Sequence, residues 1–171
     1  VEGKTLRGKQ EIKMIPDRGF VGELSGYYGE ACWTSQYLFL KDWPNITPYK
    51  FVIKKEDGVK EIIGSALFIE TESADGEKVI IVRGLNPRDK YLNKLQAESF
   101  CQEVFRVAKE TAKRLGAKKV LMASANGSLS NRQKINSYVN GVTGKSVSLA
   151  GSVSFNGYEI QHASKLVAEV E

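Results

Sequence analysis

The chain has 171 residues, 42% of them hydrophobic and 26% charged, which is typical of one globular domain large enough to bury a core. No stretch approaches about eighteen consecutive apolar residues, which excludes a membrane-spanning helix and favours a cytoplasmic protein. Two cysteines exclude a disulfide scaffold, and with a single histidine they exclude an ordinary structural zinc site. We therefore expect a single domain over residues 1–171 that binds no metal.

The net charge of +5 is unevenly distributed along the chain. Residues 83–119 contain ten Lys or Arg against four Asp or Glu. Such an excess suits an acidic ligand, either a nucleotide-bearing cofactor or nucleic acid. It is equally typical of a solvated helix face, because several of these charges lie opposite a predicted apolar stripe. The charge alone therefore does not choose between a binding surface and a solvated one.

The predicted elements alternate between strands and helices and divide the chain into an N-terminal arm (1–48) and a sheet-and-helix region (49–171). Turn signals at Asp57-Gly58 and Asp75-Gly76 join three strands into an antiparallel meander, and Pro87 ends the third of them. In chain order we predict an edge strand from Glu11 to Ile15, a short helix from Glu30 to Leu40, strands from Tyr49 to Lys54, up to Glu70 and from Lys78 to Val82, a long helix, a strand from Lys119 to Ala123, a helix from Asn131 to Asn140, and final strands from Ser146 to Leu149 and from Tyr158 to Glu171.

The long helix has the clearest pattern in the sequence. Asn93 and Gln96 resemble a capping box at its start, and Gly116 is placed to cap its end. Ser130 is placed to cap the helix that follows the next strand. The apolar stripe of the long helix consists of Ala97, Cys101, Val104, Phe105, Ala108, Ala112 and Leu115.

Four blocks of the sequence resemble the GCN5-related N-acetyltransferase superfamily: YKFVIKKEDGVKEIIGSALFIE, EKVIIVRGLNP, AKETAKRLGAKKVLMA and SNRQKINSYV. The resemblance covers residues from Tyr49 to the C-terminus and implies an α/β fold with a mixed, mostly antiparallel sheet and helices on both faces. It also implies transfer of an acetyl group from acetyl-CoA to an amine, on a small molecule or a protein. The acceptor side would then lie in residues 1–48.

The resemblance implies where the cofactor would bind. In that superfamily the second block is a strand that splays from its neighbour and holds the pantetheine arm, which points to Val82, Arg83 and Gly84. The loop that follows normally holds the pyrophosphate through glycine-rich backbone, yet no glycine occurs between Asn86 and Ala97 here. Two outcomes stay open. Basic side chains replace the glycines, or the domain is a catalytically inactive interaction module of a larger protein. The basic candidates are Arg88, Lys90 and Lys94.

The same resemblance implies catalytic residues. A glutamate on the strands before the splayed strand often acts as base for the amine, and a tyrosine after the second helix can protonate the leaving thiolate. Glu70 and Glu72 are near the position of the base, of which Glu70 is the candidate, and Tyr138 is the only tyrosine in the predicted second helix.

Two further functions compete with acyl transfer. Cys32, followed by Trp33, and His162, followed by Ala163, resemble the paired residues of papain-like thiol peptidases, although the glycine and cysteine pattern of that family is absent. The alternative is a buried cysteine beside a core tryptophan, with a surface histidine. We do not expect nucleic-acid binding, because the aromatic residues concentrate between Tyr27 and Tyr49, away from the basic segment.

Overall fold

The computed structural model describes residues 12–16, 44–55, 57–87, 97–123, 130, 132–142, 144–151, 153–155, 158–160 and 163–170. The described elements follow the predicted order, except that three strands follow residue 151 where one was predicted. The elements are β1 (Ile12–Pro16), β2 (Ile46–Lys54), β3 (Lys60–Glu72), β4 (Lys78–Pro87), α1 (Ala97–Leu115), β5 (Lys119–Met122), α2 (Gln133–Val142), β6 (Ser146–Ser148), β7 (Val153–Phe155), β8 (Tyr158–Ile160) and β9 (Ala163–Glu169).

Seven strands form one sheet in the order β1-β2-β3-β4-β5-β9-β6, while β7 and β8 form a separate two-stranded sheet. Only β4 and β5 are parallel, because α1 carries the chain from the end of one back to the start of the other. All the other described pairs are antiparallel. The predicted meander of β2, β3 and β4 and the predicted α/β class with a mostly antiparallel sheet are confirmed.

Apolar side chains cover both faces of this sheet. On one face a large cluster joins the strands to both described helices, through residues such as Phe51, Val82 and Val104. On the other face a smaller cluster contains Leu67, Ile81 and Leu149. Both described helices therefore lie on the same side of the sheet. The helix predicted from Glu30 to Leu40 lies outside the described residues.

The long helix α1 follows the predicted stripe over most of its length. Cys101, Val104, Ala108 and Ala112 are buried, whereas Leu115 is 37% exposed, so the prediction that the stripe extends to Leu115 is wrong.

The chain leaves α1 through the predicted glycine cap. Gly116 has φ of 74°, a left-handed conformation that glycine adopts without steric cost. The Ala117 amide donates to the Ala112 carbonyl at 2.8 Å, as in a Schellman motif. Neither helix in the described part of the chain is long and apolar enough to cross a membrane.

Several boundaries differ from the predictions. β2 begins at Ile46, three residues before the predicted Tyr49. β4 ends at Pro87, as the proline predicted, but the strand-forming run from Lys78 to Val82 was only its first part, since residues 79–87 are all buried and pairing with β3 continues. The final strand is split into β8 and β9, of which β8 turns back on β7 and β9 enters the main sheet. The second helix begins at Gln133, two residues later than predicted.

Candidate functional site

The candidate site lies in the middle of the sheet, where the described pairing between β4 and β5 ends. This parallel pairing runs from Val79 with Lys119 to Val82 with Met122. One more hydrogen bond follows, from the Ala123 amide to the Val82 carbonyl at 3.3 Å. β4 then continues for five residues that pair with β3 alone among the described strands. We call the edge of β4 over residues 83–87, beyond this last described bond to β5, the β4 slot.

A β-bulge lies at the start of the β4 slot. Leu67 pairs with Arg83 and Ser65 pairs with Asn86, so that two residues of β4, Gly84 and Leu85, lie opposite one residue of β3. Gly84 has φ of 64°, in the left-handed region. A bulge with a left-handed glycine increases local twist and changes the direction of the backbone amides and carbonyls. The bulge therefore helps to turn this part of β4 away from β5.

β3 and β4 stay in tight contact beside the slot, although the described pairing of β4 with β5 has ended. Gly64 of β3 lies opposite Pro87. A Cβ atom at Gly64 would lie 2.6 Å from the Asn86 carbonyl oxygen and 2.7 Å from the Pro87 Cα. Because both are backbone atoms, no side chain fits there without displacing β4. Gly64 therefore fixes the inner wall of the slot.

The far end of the slot is joined to the start of α2 by a network of hydrogen bonds, which we call the α2 clamp. The Ser130 hydroxyl donates to Asn86 Oδ1 at 3.0 Å, and Arg132 Nε donates to the Pro87 carbonyl at 2.8 Å. The Arg132 amide in turn donates to Ser130 Oγ at 3.0 Å. Arg132 is 6% exposed, so the clamp places a buried cation beside the slot.

The α2 clamp corrects the predicted role of Ser130. The Arg132 carbonyl, not that of Ser130, accepts the first helical hydrogen bonds, from the amides of Ile135 and Asn136. Ser130 instead connects the helix start to β4. Its partner Asn86 lies 44 residues earlier in the chain. No local sequence pattern could have revealed a pair of residues so far apart, and sequence reasoning missed both Ser130–Asn86 and Arg132–Pro87.

Tyr138 lies on α2 and packs against the cluster that contains Val82 and Cys101. Desolvation raises the pKa of its hydroxyl above the ordinary value, and the negative charge of Glu98 raises it further, while a hydrogen bond with Gln102 acts in the opposite direction. Both of these neighbours lie on the first turns of α1. The hydroxyl is therefore protonated at neutral pH and lies near the start of α1.

The other predicted residues that the structure describes fall in three places. Val82 is buried on the helix-covered face, and Arg83 is buried at 7% exposure at the bulge. Glu70 lies opposite Ile80, toward the β3–β4 hairpin, with its carboxylate 3.3 Å from Lys78 Nζ. Lys78 Nζ also donates to the Leu115 carbonyl at 3.3 Å. Glu70 is thus part of a contact between the hairpin and the end of α1, outside the slot.

The remaining predicted residues, Cys32, His162, Arg88, Lys90 and Lys94, lie outside the described residues, so their roles stay predictions. The cysteine that is described, Cys101, is fully buried, and desolvation raises the pKa of its thiol to about 12. Its thiol therefore stays protonated and unreactive at neutral pH. Over the described part of the chain, no group of three or more His, Cys, Asp or Glu residues is placed to hold a metal ion.

No family model and no curated protein matches the chain. Among solved structures, an acetyltransferase from Trypanosoma brucei is 17% identical, with a TM-score of 0.43 over 70% of this chain and 86% of that chain. The structure of the KacTA–DNA complex is 14% identical, with a TM-score of 0.49 over 92% of each chain. These similarities are too weak to assign a function, and the fold class rests on the strands and helices described above.

Proposed function

We propose that this chain is an acyltransferase that transfers an acetyl group from acetyl-CoA to an amine. The observation that carries the proposal is the β4 slot, where the described pairing of β4 with β5 ends at Val82 while pairing with β3 continues to Pro87. An extended ligand with amide groups can add to such an edge through main-chain hydrogen bonds. The pantetheine arm of coenzyme A is an extended chain with two amides, and so it matches the slot.

The residues present fit this group over part of the slot. The backbone of Arg83, Gly84 and Leu85 would hold the arm, because these residues follow the last β5 pair and include the bulge. The Pro87 carbonyl is already bonded to Arg132, so the arm would end before it. The buried Arg132 guanidinium supports the proposal, since it supplies a positive charge beside Pro87. Pro87 begins the segment in which this chain lacks the glycines of the superfamily's pyrophosphate loop.

The proposed chemistry needs one proton donor and one proton acceptor from the chain. When bound, acetyl-CoA supplies a thioester; its C–S bond is replaced by an amide C–N bond, and one proton passes from the amine to sulfur. Tyr138 is the proposed donor, because it packs against the cluster that contains Val82 and a tyrosine hydroxyl is protonated at neutral pH. Glu70 remains the candidate base from the sequence, and it would act only after leaving Lys78. The amine acceptor would be a small molecule or a protein.

The test is thermal unfolding with and without acetyl-CoA, in the wild-type chain and in two matched glycine variants. Acetyl-CoA at a hundred times its Kd adds about 2.7 kcal/mol, which corresponds to a rise in Tm of roughly 5–10 °C for a domain of this size. Gly84→Ala and Gly76→Ala both place a side chain at positive φ, at 64° and 81°, so both introduce backbone strain. Only Gly84 lies in the slot, so only Gly84→Ala should reduce the shift.

Two results would reject the proposal. The first is the lack of any shift at millimolar acetyl-CoA, which would favour the inactive interaction module. The second is an equal loss of the shift in Gly84→Ala and Gly76→Ala, which would mean that the strain and not the slot is responsible. If the shift follows the expected pattern, Tyr138→Phe should lower the rate of acetyl transfer while leaving the acetyl-CoA shift unchanged.

A further inference from the structure

A groove separate from the β4 slot lies at the β1 edge of the sheet, between β1, its neighbour β2 and the second half of α1. Its volume is about 290 Å³, at the lower end of the range for small-molecule pockets. The lining residues belong to β1, β2 and α1, so the groove is separate from the β4 slot and from α2. Its lining includes Met14, Tyr49, Val107, Glu110, Thr111 and Arg114.

Tyr49 is the first observation that points to a ligand in this groove. The side chain is 3% exposed, and its ring packs on Phe68 with the ring centroids 4.3 Å apart. A buried tyrosine usually finds a hydrogen-bond partner for its hydroxyl. Among the described residues the Tyr49 hydroxyl forms no such bond, and it is not one of the fully buried unpaired polar atoms, so it opens into the groove. A hydroxyl at the end of a buried side chain that opens into a groove without a protein partner is available to a ligand.

The charges around the groove are the second observation. Arg114 is exposed, and within the described ranges its guanidinium forms no ion pair. Among the described lining residues the one carboxylate, Glu110, is paired with Arg106 at 2.6 Å. The groove therefore has an unpaired cation, whereas its carboxylate already has a partner. A position in the last helical turn accounts for a basic residue at Arg114 but not for the unbonded hydroxyl of Tyr49.

We propose that this groove binds a small amphipathic carboxylate. The carboxylate accepts hydrogen bonds from the Tyr49 hydroxyl, from the Thr111 hydroxyl and from the Arg114 guanidinium, all of which line the groove. The apolar body of the ligand packs on Met14 and Val107, which close the inner side of the groove against the core. This site does not depend on acyl transfer, because none of these residues contributes to the β4 slot.

The test titrates the whole chain with hexanoate and measures binding by calorimetry or by changes in NMR chemical shift. We expect binding with a Kd of about a millimolar, as is usual for a ligand of this size. Hexylammonium, which has the same apolar body and the opposite charge, should bind at least tenfold more weakly. Arg114→Gln and Tyr49→Phe should each weaken hexanoate binding about fivefold. Lys113→Gln, an equal change of charge on the neighbouring exposed residue, should change it less than twofold.

Tyr49→Phe removes only the hydroxyl and keeps the ring in the core, so the Tm of this variant shows whether it folds as the wild type does. Lack of hexanoate binding at 20-fold the expected Kd, roughly 20 mM, would overturn the proposal. So would equal binding of hexylammonium, or unchanged hexanoate binding in Tyr49→Phe. Equal losses in Arg114→Gln and Lys113→Gln would overturn it as well, because they would reveal a nonspecific effect of charge. Acetyl-CoA shifts should be the same in all these variants.

Discussion

Burial of the Cys101 thiol should make the folded protein less stable as the pH becomes alkaline. Desolvation raises the pKa of the thiol from the usual 9.0 to about 12, so the folded chain keeps a proton that the unfolded chain loses earlier. The stabilisation is complete below pH 9 and disappears as the pH rises toward 12. At about 1.4 kcal/mol per pKa unit, the free energy of unfolding falls by about 2 kcal/mol by roughly pH 10.5 and by up to about 4 kcal/mol in all.

The assay is urea unfolding of the wild type and of Cys101→Ala between pH 7 and pH 10.5, with reductant present. Cys101→Ala lowers stability at every pH because it leaves a small cavity, but this cost does not titrate. The difference in unfolding free energy between wild type and variant should therefore shrink by about 2 kcal/mol over this range, because all other titrating groups are common to both. A constant difference would refute the reasoning and would mean that the Cys101 thiol has access to water.

Two further predictions concern the sheet. Lys54 and Lys60 lie directly opposite each other on β2 and β3, so Lys60→Glu should replace a repulsive pair with an attractive one and raise the free energy of unfolding by about 0.5 kcal/mol at low salt. Gly64→Ala should lower it by about 2–3 kcal/mol, because the new methyl group collides with β4 backbone. Gly141→Ala, in α2 with no atom within 4 Å of the added Cβ, should instead raise it by about 0.5–1 kcal/mol.

Urea unfolding of each variant measures these changes and can contradict each prediction. At 1 M salt the Debye length is only about 3 Å, so a gain from Lys60→Glu that persists there would not be electrostatic. A Gly64→Ala variant as stable as the wild type would show that β4 can move away from β3. In that case the inner wall of the β4 slot is not rigid, and the bulge cannot be fixed by packing alone.

The parts of the fold that were predicted from sequence are those encoded by neighbouring residues. The stripe of α1, its glycine cap and the two Asp-Gly turns each depend on residues only a few positions apart, and the structure has the cap, both turns and the stripe up to Ala112. The division of the last strand into β8 and β9 was missed because the segment reads as one run of strand-forming residues. Its break is decided by pairing with different partners, β7 and β5, which are distant contacts.

The candidate site was predicted only in outline. The resemblance pointed to Val82, Arg83 and Gly84, and the structure places these residues where β4 leaves β5. It did not point to Arg132, because the guanidinium reaches a carbonyl 45 residues away and no spacing rule connects them. Glu70, the base that the resemblance implied, contacts Lys78 toward the hairpin end of its strand, and its role stays a prediction.

The position of β9 bears on how the protein is made. In the sheet β9 lies between β5 and β6, although it contains the last described strand residues. During synthesis the chain emerges from its N-terminus, so β5 and β6 are exposed without their common neighbour until the segment Ala163–Glu169 has left the ribosome. Unpaired strand edges are sites of aggregation. We therefore expect that truncation before Ala163 yields an aggregating chain and that the interval before Ala163–Glu169 emerges is the vulnerable stage of folding.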